Sequence, residues 1–473
     1  MKITENLLFL ILAYLFSVTI ISLIRGYQNK VMRSAGWLNV FVIAAFTWIV
    51  DRIFFPGGTF LSALDYRKSG SALLSAAIGC SFAQPWWWVF AGPGSPTNRL
   101  RRGFLTAALV GCSIFSMVGV IVLAHRAGQP PQDSAYSLDS RFEVREIAKI
   151  TGGYPIRIAV DSETGRIYFT KQVDREEGIW GEVGELVPNG SQFDVRIVAS
   201  SPALYRPFGL CAKGGALYVS RSGMLASATN GKITYANSGR VTKLEDLDGD
   251  GYFKHYNDIL TDLPGSRGPD TQHQNNAVCV SDDGTVFVEC GCSSNRGVPD
   301  HPWEGTVLRL RPGAAQPEVF ARGFRNPFGM TFGPDSELFL TDNDCNADPG
   351  DEINHVIEGR HYGHPYVIGN DDGGGDFTIP IWPSKPSVTL EGLAYSDAKE
   401  LPEDCRGCLY VSLFSSGHIG RYSLQRNGDD YKVTKFVPMF VLPIPIDIAA
   451  SKDGRFYIVC LNASIYEARL KKH

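Results

Sequence analysis

The sequence has no excess of basic residues: 45 Lys and Arg stand against 49 Asp and Glu, and the formal net charge is -4 at pH 7. Its basic residues are scattered, so it lacks the positive field that holds nucleic acid. No histidine precedes His125, which excludes a haem held by two histidines in the first part of the chain. Cys405-x-x-Cys408 is followed by Leu409 rather than by histidine, so it is not a c-type haem attachment site.

Long apolar runs are confined to the first 125 residues. They cover four stretches: Leu7–Ile24, Trp37–Phe55, Ser71–Ala91 and Phe104–Ala124. Each approaches the ~20 residues that an α-helix needs to cross a bilayer. The sequence therefore predicts an α-helical membrane anchor over residues 1–125 with about four transmembrane helices. A signal peptide is the alternative for the first run, although basic residues and three more apolar runs follow it.

The short loops between these runs predict the orientation of the anchor. The first and third loops are basic and contain no acid, and their cations are Arg25, Lys30, Arg33, Arg99, Arg101 and Arg102. Because positively charged loops stay in the cytoplasm, residues after Ala124 are expected on the extracytoplasmic side, in the periplasm or outside the cell. The anchor either only holds the protein at the membrane or also binds a quinone, and the sequence leaves both open.

A polar stretch and a repeat follow the anchor. Residues 126–140 contain Gly128, Pro130 and Pro131 and are typical of a linker. From residue 141 to 473, one pattern of two alternating apolar strands around a polar turn recurs six times, at Pro155–Thr170, Pro207–Ser220, Asn275–Glu289, Pro327–Thr341, Glu391–Ser412 and Pro445–Cys460. Such repetition predicts an all-β, six-bladed β-propeller. A two-sheet sandwich would not repeat one hairpin six times.

Three polar segments could carry chemistry. Asp270–Asn276 places His273 just before a strand, where an imidazole could act as a general base or simply be a surface histidine. Arg325, in a Gly323–Gly329 turn, could pair with carboxylates. The acidic loop Thr341–Glu352 is rich in the oxygen ligands that Ca²⁺ prefers, although a solvated acidic loop has the same composition.

The third segment, after the His273 segment and the Arg325 turn with its acidic loop, is Asp246–Gly251, which begins like a calcium-binding loop. It has the Asp-x-Asp-x-Asp-Gly spacing at Asp246, Asp248 and Asp250. Its twelfth position is Asn257 instead of the usual Glu, so the match is partial. We expect a structural Ca²⁺ here rather than a catalytic one.

Taken together, these segments resemble the pyrroloquinoline quinone (PQQ)-dependent soluble glucose/sorbosone dehydrogenase-like superfamily of β-propellers. The resemblance covers roughly residues 145–470 and is densest from Gly323 to Pro365, which contains Arg-Asn-Pro-Phe-Gly, Thr-Asp-Asn-Asp, Gly-Asp-Glu-Ile-Asn-His and His-Tyr-Gly-His-Pro. The segment Leu-Glu-Asp-Leu-Asp-Gly-Asp-Gly is similar to the membrane-bound dehydrogenase-like branch of that superfamily.

The resemblance implies an activity and a set of site residues. The family's base falls on His273, its cofactor contacts on Gln274, Arg325 and Asn326, and its calcium site on Asp342, Asp344, Asp348, Asp351, Glu352 and Tyr362. Ca²⁺ would polarise the quinone as a Lewis acid. The expected protein is a membrane-anchored extracytoplasmic oxidoreductase that oxidises a sugar or related alcohol with PQQ and Ca²⁺ and passes electrons to an external acceptor.

The sequence also departs from the family pattern. Where a cofactor-binding lysine is expected, residues Leu413–Gly417 contain none, and Leu442–Asp447 lack the expected arginines. Because PQQ carries three carboxylates, such losses weaken binding unless other cations, such as Arg221 or Arg421, replace them. Two other functions therefore stay open: a Ca²⁺-dependent lactone hydrolase, and a non-catalytic sugar- or protein-binding propeller.

Overall fold

The chain divides into two compact units, Met1–Pro130 and Pro131–His473. The computed structural model describes residues 134–471, except 176–177, 191, 222–224, 230–231, 237–238, 265–272, 274, 293–296, 300, 344–349 and 385–386. The four predicted transmembrane helices lie outside these residues. Within the described part of the chain, no helix has the length and apolarity needed to cross a membrane.

Six antiparallel sheets of at least four strands each form the second unit, and each sheet is one blade. Blade 1 contains β3 (Tyr154–Val160), β4 (Ile167–Arg175), β5 (Gly178–Asn189) and β6 (Gln192–Ser201). Blade 2 contains β7 (Pro207–Lys213), β8 (Ala216–Arg221), β11 (Gly239–Glu245) and β12 (His255–Leu263), with the hairpin β9 (Leu225–Thr229) and β10 (Lys232–Ala236) inserted. Blade 3 contains β13 (Asn275–Val280), β14 (Val286–Cys290), β15 (Thr306–Leu310) and β16 (Glu318–Arg322).

The remaining three blades have the same strand order. Blade 4 contains β17 (Pro327–Phe332), β18 (Leu338–Asp342), β19 (Glu352–Val356) and β20 (Trp382–Pro383). Blade 5 contains β21 (Leu390–Ser396), β22 (Cys408–Leu413), β23 (His418–Asn427), β24 (Asp430–Val441) and, at its edge, β1 (Tyr136–Ser137). Blade 6 contains β25 (Pro445–Ala450), β26 (Phe456–Cys460), β27 (Ser464–Leu470) and β2 (Phe142–Lys149).

The six repeated hairpins of the sequence are the first two strands of the six blades. Their turns use the expected chemistry: in the turn between β13 and β14, Asp283 accepts a hydrogen bond from the Thr285 amide at 3.0 Å. Gly284 takes a φ of 83° there, a conformation that costs glycine little. The prediction of a six-bladed β-propeller is confirmed.

The propeller is closed by a strand from the beginning of the unit. β2 pairs with β27 and completes blade 6, while Tyr136 and Ser137 pair with β24 of blade 5. The described strands therefore begin before residue 141, inside the stretch predicted as a linker over 126–140. This pairing covers the edges that an open ring of sheets would expose.

Each inner strand begins at the same end of the ring, which we call the upper end. Because neighbouring strands are antiparallel, the connections that enter each blade and those between its second and third strands also lie at the upper end. His273, the 323–326 turn and the 343–351 loop belong to such connections. The topology therefore brings these sequence-distant segments to one end of the channel.

The closing strand gives a test of this architecture. Phe142 is 1% exposed and its ring lies 5.7 Å from that of Phe440 in blade 5. We expect Phe142→Ala to lower the free energy of unfolding by about 3–5 kcal/mol in urea denaturation, because it removes a buried aromatic side chain. The control Leu138→Ala, at a side chain that is 48% exposed, should change it by less than about 0.5 kcal/mol. Equal effects of both substitutions would contradict closure by β2.

Candidate functional site

His273 is a buried imidazole at the upper end of the channel. Its side chain is 3% exposed, and Nδ1 donates a hydrogen bond to the Cys292 carbonyl at 2.6 Å. That bond fixes the tautomer, since a carbonyl only accepts, and leaves Nε2 as the proton acceptor. Burial, with the nearby Arg325 charge, lowers the pKa of His273 to about 4. The imidazole is therefore neutral near pH 7, as a general base must be.

Cys292 couples His273 to Arg325 through its backbone. Its amide donates to the Arg325 carbonyl at 2.9 Å, while its carbonyl holds His273. Arg325 is itself buried, at 7% exposure, and Nη1 donates to the Asn343 carbonyl at 2.6 Å. A buried, oriented guanidinium is suited to recognising a carboxylate.

Asp342, a predicted metal ligand, supports the turn that carries Arg325. One carboxylate oxygen accepts from the Arg325 amide at 2.9 Å and the other from the Asn326 amide at 2.7 Å. In return, the Asn343 amide donates to the Asn326 carbonyl at 3.1 Å. The Arg-Asn-Pro-Phe-Gly and Thr-Asp-Asn-Asp motifs are thus two halves of one hydrogen-bonded unit.

His364 belongs to the same site, although the sequence analysis did not single it out. The connection from β19 to β20 returns along β16, and the His364 amide donates to the Gly323 carbonyl at 3.0 Å. Burial, with Arg325 and His273 nearby, lowers the pKa of His364 to about 4. The signal that could have identified it is the second histidine of His-Tyr-Gly-His-Pro, placed just after the motif residues already chosen.

Several polar atoms of this site are buried without a hydrogen-bond partner among the described residues. They are Nε2 of His364 and both side-chain amide atoms of Asn343. Buried polar atoms normally have partners, because leaving one unpaired costs about 1–3 kcal/mol. The arrangement therefore suits a polar ligand that supplies both donors and acceptors.

Of the other predicted ligands of the acidic loop, Asp351 and Glu352 lie in the described part of the chain, and both accept hydrogen bonds from the protein. One Asp351 oxygen accepts from the Ser387 hydroxyl and the amides of Val388 and Thr389, at 2.6–2.8 Å. Glu352 accepts from the Gly369 amide at 3.0 Å and the Asn354 side chain at 3.2 Å. Asp344 and Asp348, with the predicted cofactor contact Gln274, lie outside the described residues.

Tyr362, the last predicted metal ligand, lines a small cavity with Asp342 and Glu352 and also has structural contacts. Its hydroxyl donates to the His355 carbonyl and accepts from the Ile357 amide at 2.9 Å. Its ring stacks on Phe324 with centroids 4.7 Å apart. Tyr362 as a metal ligand therefore stays a prediction.

The Asp246 loop does bring three carboxylates together, but at the lower end of the ring. Oxygen atoms of Asp246, Asp248 and Asp250 lie within 4.8 Å of one another. The Lys254 ammonium donates to Asp248 at 2.9 Å and also to Asp250. This loop therefore lies at the opposite end of the ring from His273. The Lys254 ammonium offsets the repulsion between its carboxylates.

Arg157 closes the channel beneath the site. It is 3% exposed and extends from blade 1 to three other blades. Its guanidinium donates to the Phe208 carbonyl in blade 2 and to the Phe328 carbonyl in blade 4, the latter at 2.5 Å. It also lies 3.5 Å from the Asp447 carboxylate in blade 6. Its guanidinium also packs over the Phe328 ring at 3.8 Å. On the other side of Arg157, the inner strands surround a cavity of about 190 Å³.

Two more acids in the channel have raised pKa values. Burial raises the pKa of Glu289 and that of Glu391 to about 8, although Arg157 opposes this shift in both. One oxygen of each is buried without a partner among the described residues. One arginine thus faces three carboxyl groups, and burial favours the neutral form of those that it cannot pair with.

The two arginines proposed to replace missing cofactor-binding cations are both engaged. Arg221 reaches the upper end, where it donates to Thr242 at 2.8 Å and to both oxygens of Asp258 at 2.8 and 3.0 Å. Arg421 points to the lower end, where it contacts Asp404 at 3.0 Å and the Cys405 sulfur at 2.6 Å. Arg421 therefore has its described partners away from the upper end, and its role as a replacement cation stays a prediction.

Comparison with known proteins establishes the family. A family model described as Glucose / Sorbosone dehydrogenase matches residues 212–465, more than half of the chain, so this protein belongs to the glucose/sorbosone dehydrogenase family. Among curated proteins, quinoprotein glucose dehydrogenase B of Acinetobacter calcoaceticus is 26% identical over 174 residues. The aligned region spans 30% of this chain and 35% of that protein, about a third of its length.

Solved structures show the same fold. The PQQ-bound aldose sugar dehydrogenase of Streptomyces coelicolor superposes with a TM-score of 0.52 at 16% identity, covering 72% of this chain and 100% of that one. The holo PQQ domain of pyranose dehydrogenase from Coprinopsis cinerea gives a TM-score of 0.55 at 12% identity, covering 72% and 98%.

Arg157 provides a stability test. We expect Arg157→Met to lower the free energy of unfolding by about 3–5 kcal/mol in urea, because it leaves Asp447 buried and unpaired. Adding Asp447→Leu should restore part of that loss. As a control, Arg426→Met removes an ion pair of a side chain that is 45% exposed and should cost less than about 1 kcal/mol. A loss below 1 kcal/mol for Arg157→Met would refute its bridging role.

The neutral histidines predict a pH dependence. A histidine with a folded pKa of about 4 binds its proton less readily than in the unfolded chain, where the pKa is about 6.5. Its contribution is complete above pH 6.5 and is lost as the pH falls toward 4. In urea titrations, the free energy of unfolding of His364→Gln minus that of wild type should therefore increase as the pH is lowered from 6.5 to 4. His255→Gln, at an exposed residue of β12, is the control for the loss of a histidine side chain. A flat difference for His364→Gln would contradict the assignment.

Proposed function

We propose that this protein is an oxidoreductase that oxidises a sugar or related alcohol with PQQ as its cofactor and His273 as the general base. The observation that carries the proposal is the neutral His273 imidazole, coupled through Cys292 to the buried Arg325. Family membership supports the same function, and the curated relative is a quinoprotein by name.

The residues of the site fit an anionic, polar cofactor. Arg325 and Asn326 would hold it together with Asn343 and His364, whose buried polar atoms otherwise have no described partners. Asn343 and His364 would take over part of the role of the lysine and arginines that are missing from Leu413–Gly417 and Leu442–Asp447. When bound, PQQ supplies the acceptor for the substrate's hydride.

The protein's own residues account for the proton transfer. Nε2 of His273 would take the proton of the substrate hydroxyl, while the Cys292 carbonyl holds the ring and stabilises the imidazolium that forms. In the described site, burial and Arg325 lower the pKa of His273. A bound anion would offset the Arg325 charge, the smaller of these two causes, and so oppose part of the lowering of the His273 pKa.

We also propose that Ca²⁺ binds at the upper end of the ring. Asp342 and Glu352 line a cavity of about 20 Å³ beside Arg325, which is room for roughly one water or ion. Each carboxylate oxygen that accepts a backbone amide keeps a second lone pair for a cation. Since Ca²⁺ takes about 6–8 oxygens, the others would come from the cofactor, from water, or from Asp344 and Asp348.

Membrane attachment is also part of the proposal. The four apolar runs within residues 1–125 would anchor the propeller on the extracytoplasmic side, where electrons pass to an external acceptor. The apolar runs and the basic loops of the sequence support this placement.

The test is a titration of the full-length chain in detergent with PQQ, with and without Ca²⁺, followed by the absorbance of the cofactor. We expect saturable binding that Ca²⁺ strengthens. Arg325→Met should weaken it at least about tenfold, since a charge-assisted contact is worth about 1.5–3 kcal/mol, while Arg426→Met serves as the control. His273→Gln should keep PQQ binding and lower dye-linked sugar oxidation by about 10²–10⁴-fold.

Absence of PQQ binding at high micromolar concentration would overturn the dehydrogenase proposal. If the same preparation hydrolysed sugar lactones in a Ca²⁺-dependent way, the hydrolase would replace it. Unchanged turnover in His273→Gln would refute the assignment of the base.

A further inference from the structure

Two thiols occupy one turn at the lower end of blade 5. Cys405 ends a short 3₁₀ helix, Cys408 begins β22, and both side chains are at most 2% exposed. Only Arg406 and Gly407 separate them, and Gly407 has a φ of 62°, which glycine adopts at little cost. Each sulfur lies 3.8 Å from an oxygen atom of Asp404. The fold therefore keeps the two cysteines of the Cys405-x-x-Cys408 motif together against one residue.

Two guanidinium groups contact the sulfur of Cys405. Arg421 donates to it from Nη1 at 2.6 Å, and Arg141 donates from Nη2 at 3.6 Å. Arg421 is 3% exposed, and its Nε atom is buried without a hydrogen-bond partner among the described residues. Both arginines pair with Asp404, and Arg141 also pairs with Asp139. Because Arg421 is nearer to the sulfur than the Asp404 carboxylate is, the local charge favours the thiolate of Cys405.

Cys408 contacts neutral groups instead. Its thiol donates to the Arg406 carbonyl at 3.3 Å and lies 3.6 Å from the Ser423 hydroxyl. Burial raises the pKa of both thiols, and the largest opposing influence is the Arg421 charge at Cys405 but the Ser423 hydroxyl at Cys408. Since the thiolate is the attacking species in thiol–disulfide exchange, the two cysteines are suited to different steps.

We propose that Cys405 and Cys408 form a thiol–disulfide exchange site whose substrate is an external disulfide, with Cys405 as the attacking thiol. The Cys405 thiolate attacks one sulfur of that disulfide, forms a mixed disulfide and releases the other sulfur as a thiolate. Cys408 then loses its proton to solvent, attacks the Cys405 sulfur and releases the second thiolate. The two cysteines lose two electrons and two protons, and the external disulfide gains them and becomes two thiols.

The sulfur of Cys405 is covered by side chains that are partly open to solvent. The side chain of Arg141 is 42% exposed and that of Asp404 is 50% exposed. A change of their rotamers gives a small disulfide access to Cys405 without opening the core between the blades. Disulfides persist in oxidising compartments outside the cytoplasm, which is where the propeller is proposed to lie.

The experiment is equilibration of the full-length chain in detergent with mixtures of reduced and oxidised glutathione. The samples are then quenched with acid, alkylated after unfolding, digested with chymotrypsin and measured by mass spectrometry. In oxidising mixtures, Cys405 and Cys408 should lose two hydrogen atoms together and resist alkylation, and excess reduced glutathione should reverse this change. Cys460, which is buried in β26, is the internal control and should be alkylated in every mixture.

Single substitutions separate the roles of the two thiols. In Cys408→Ser, glutathione should be trapped on Cys405 at least about tenfold faster than on Cys408 in Cys405→Ser, because the thiolate is the nucleophile. Adding Arg421→Met to Cys408→Ser should slow this trapping about tenfold near neutral pH, whereas Arg421→Lys, which keeps the charge, should retain most of the rate. Arg426→Met is the matched control, since Arg426 lies in the same strand β23 and is 45% exposed; it should leave the rate unchanged.

Free thiols at both positions in the most oxidising mixture, or a disulfide from either one to another cysteine, would overturn the inference. Equal trapping rates in Cys408→Ser and Cys405→Ser would also overturn it. These measurements do not require the Arg421 variants, so the proposal stays open to refutation even if Arg421→Met does not fold. An unchanged rate in folded Arg421→Met would refute the role of the buried cation.

Discussion

The propeller depends on one buried cation that must satisfy several blades at once. Arg157 donates to backbone carbonyls of blades 2 and 4 and faces Asp447 of blade 6. Asp447 in turn accepts from the Ile158 amide at 2.9 Å and so joins blade 6 back to blade 1. A charge in so buried a place is tolerated only when its donors are paired, and this requirement fixes the distance between the blades around it.

Smaller hydrogen bonds continue this connection around the ring. The Ser220 hydroxyl donates to the Asn276 carbonyl, and the Asn276 side chain donates to the Pro327 carbonyl, which links blades 2, 3 and 4. Thr341 donates to the Glu391 carbonyl at 2.7 Å and links blades 4 and 5. These side-chain hydrogen bonds of the first and second strands cross blade boundaries, where apolar packing alone would not fix the register.

Much of this fold could be predicted because its pattern is local. Alternating strands and tight turns identify the six hairpins without knowledge of their neighbours. The contacts of Arg157 are not local in sequence, but a comparison of the repeats shows that its position is unusual. Arg157 lies two residues after Pro155, and the inner strands have Gly209, Gly329 and Gly392 two residues after Pro207, Pro327 and Leu390. A Cβ on Gly392 would lie 1.8 Å from Asp447 Oδ1, so the glycine gives the space that the charged pair requires.

The candidate site could be predicted only in part, because many of its contacts are not local in sequence. Motif spacing located His273 and Arg325, because both lie in short connections at the upper end. It did not show that Asp342 and Asp351 would be engaged by backbone amides, since those amides belong to turns far along the chain. It also missed His364, whose position depends on the return of a long connection along β16. Hydrogen-bond partners that come from distant parts of the chain produce no regular spacing in the sequence, so a motif search cannot predict them.

The strand that closes the ring has a consequence for how the protein is made. β2 is the first long strand of the propeller to leave the ribosome, yet it pairs with β27, so that Phe142 lies opposite Leu470. This contact joins residues at nearly opposite ends of the propeller sequence, and forming it requires closure of a very long loop. Throughout synthesis, β2 and the growing edge of the last blade remain unpaired, and such edges readily associate with other chains. A nascent chain of this protein therefore carries an exposed strand until β27 has been made, so rapid completion of blade 6 shortens the time in which that edge can bind other chains.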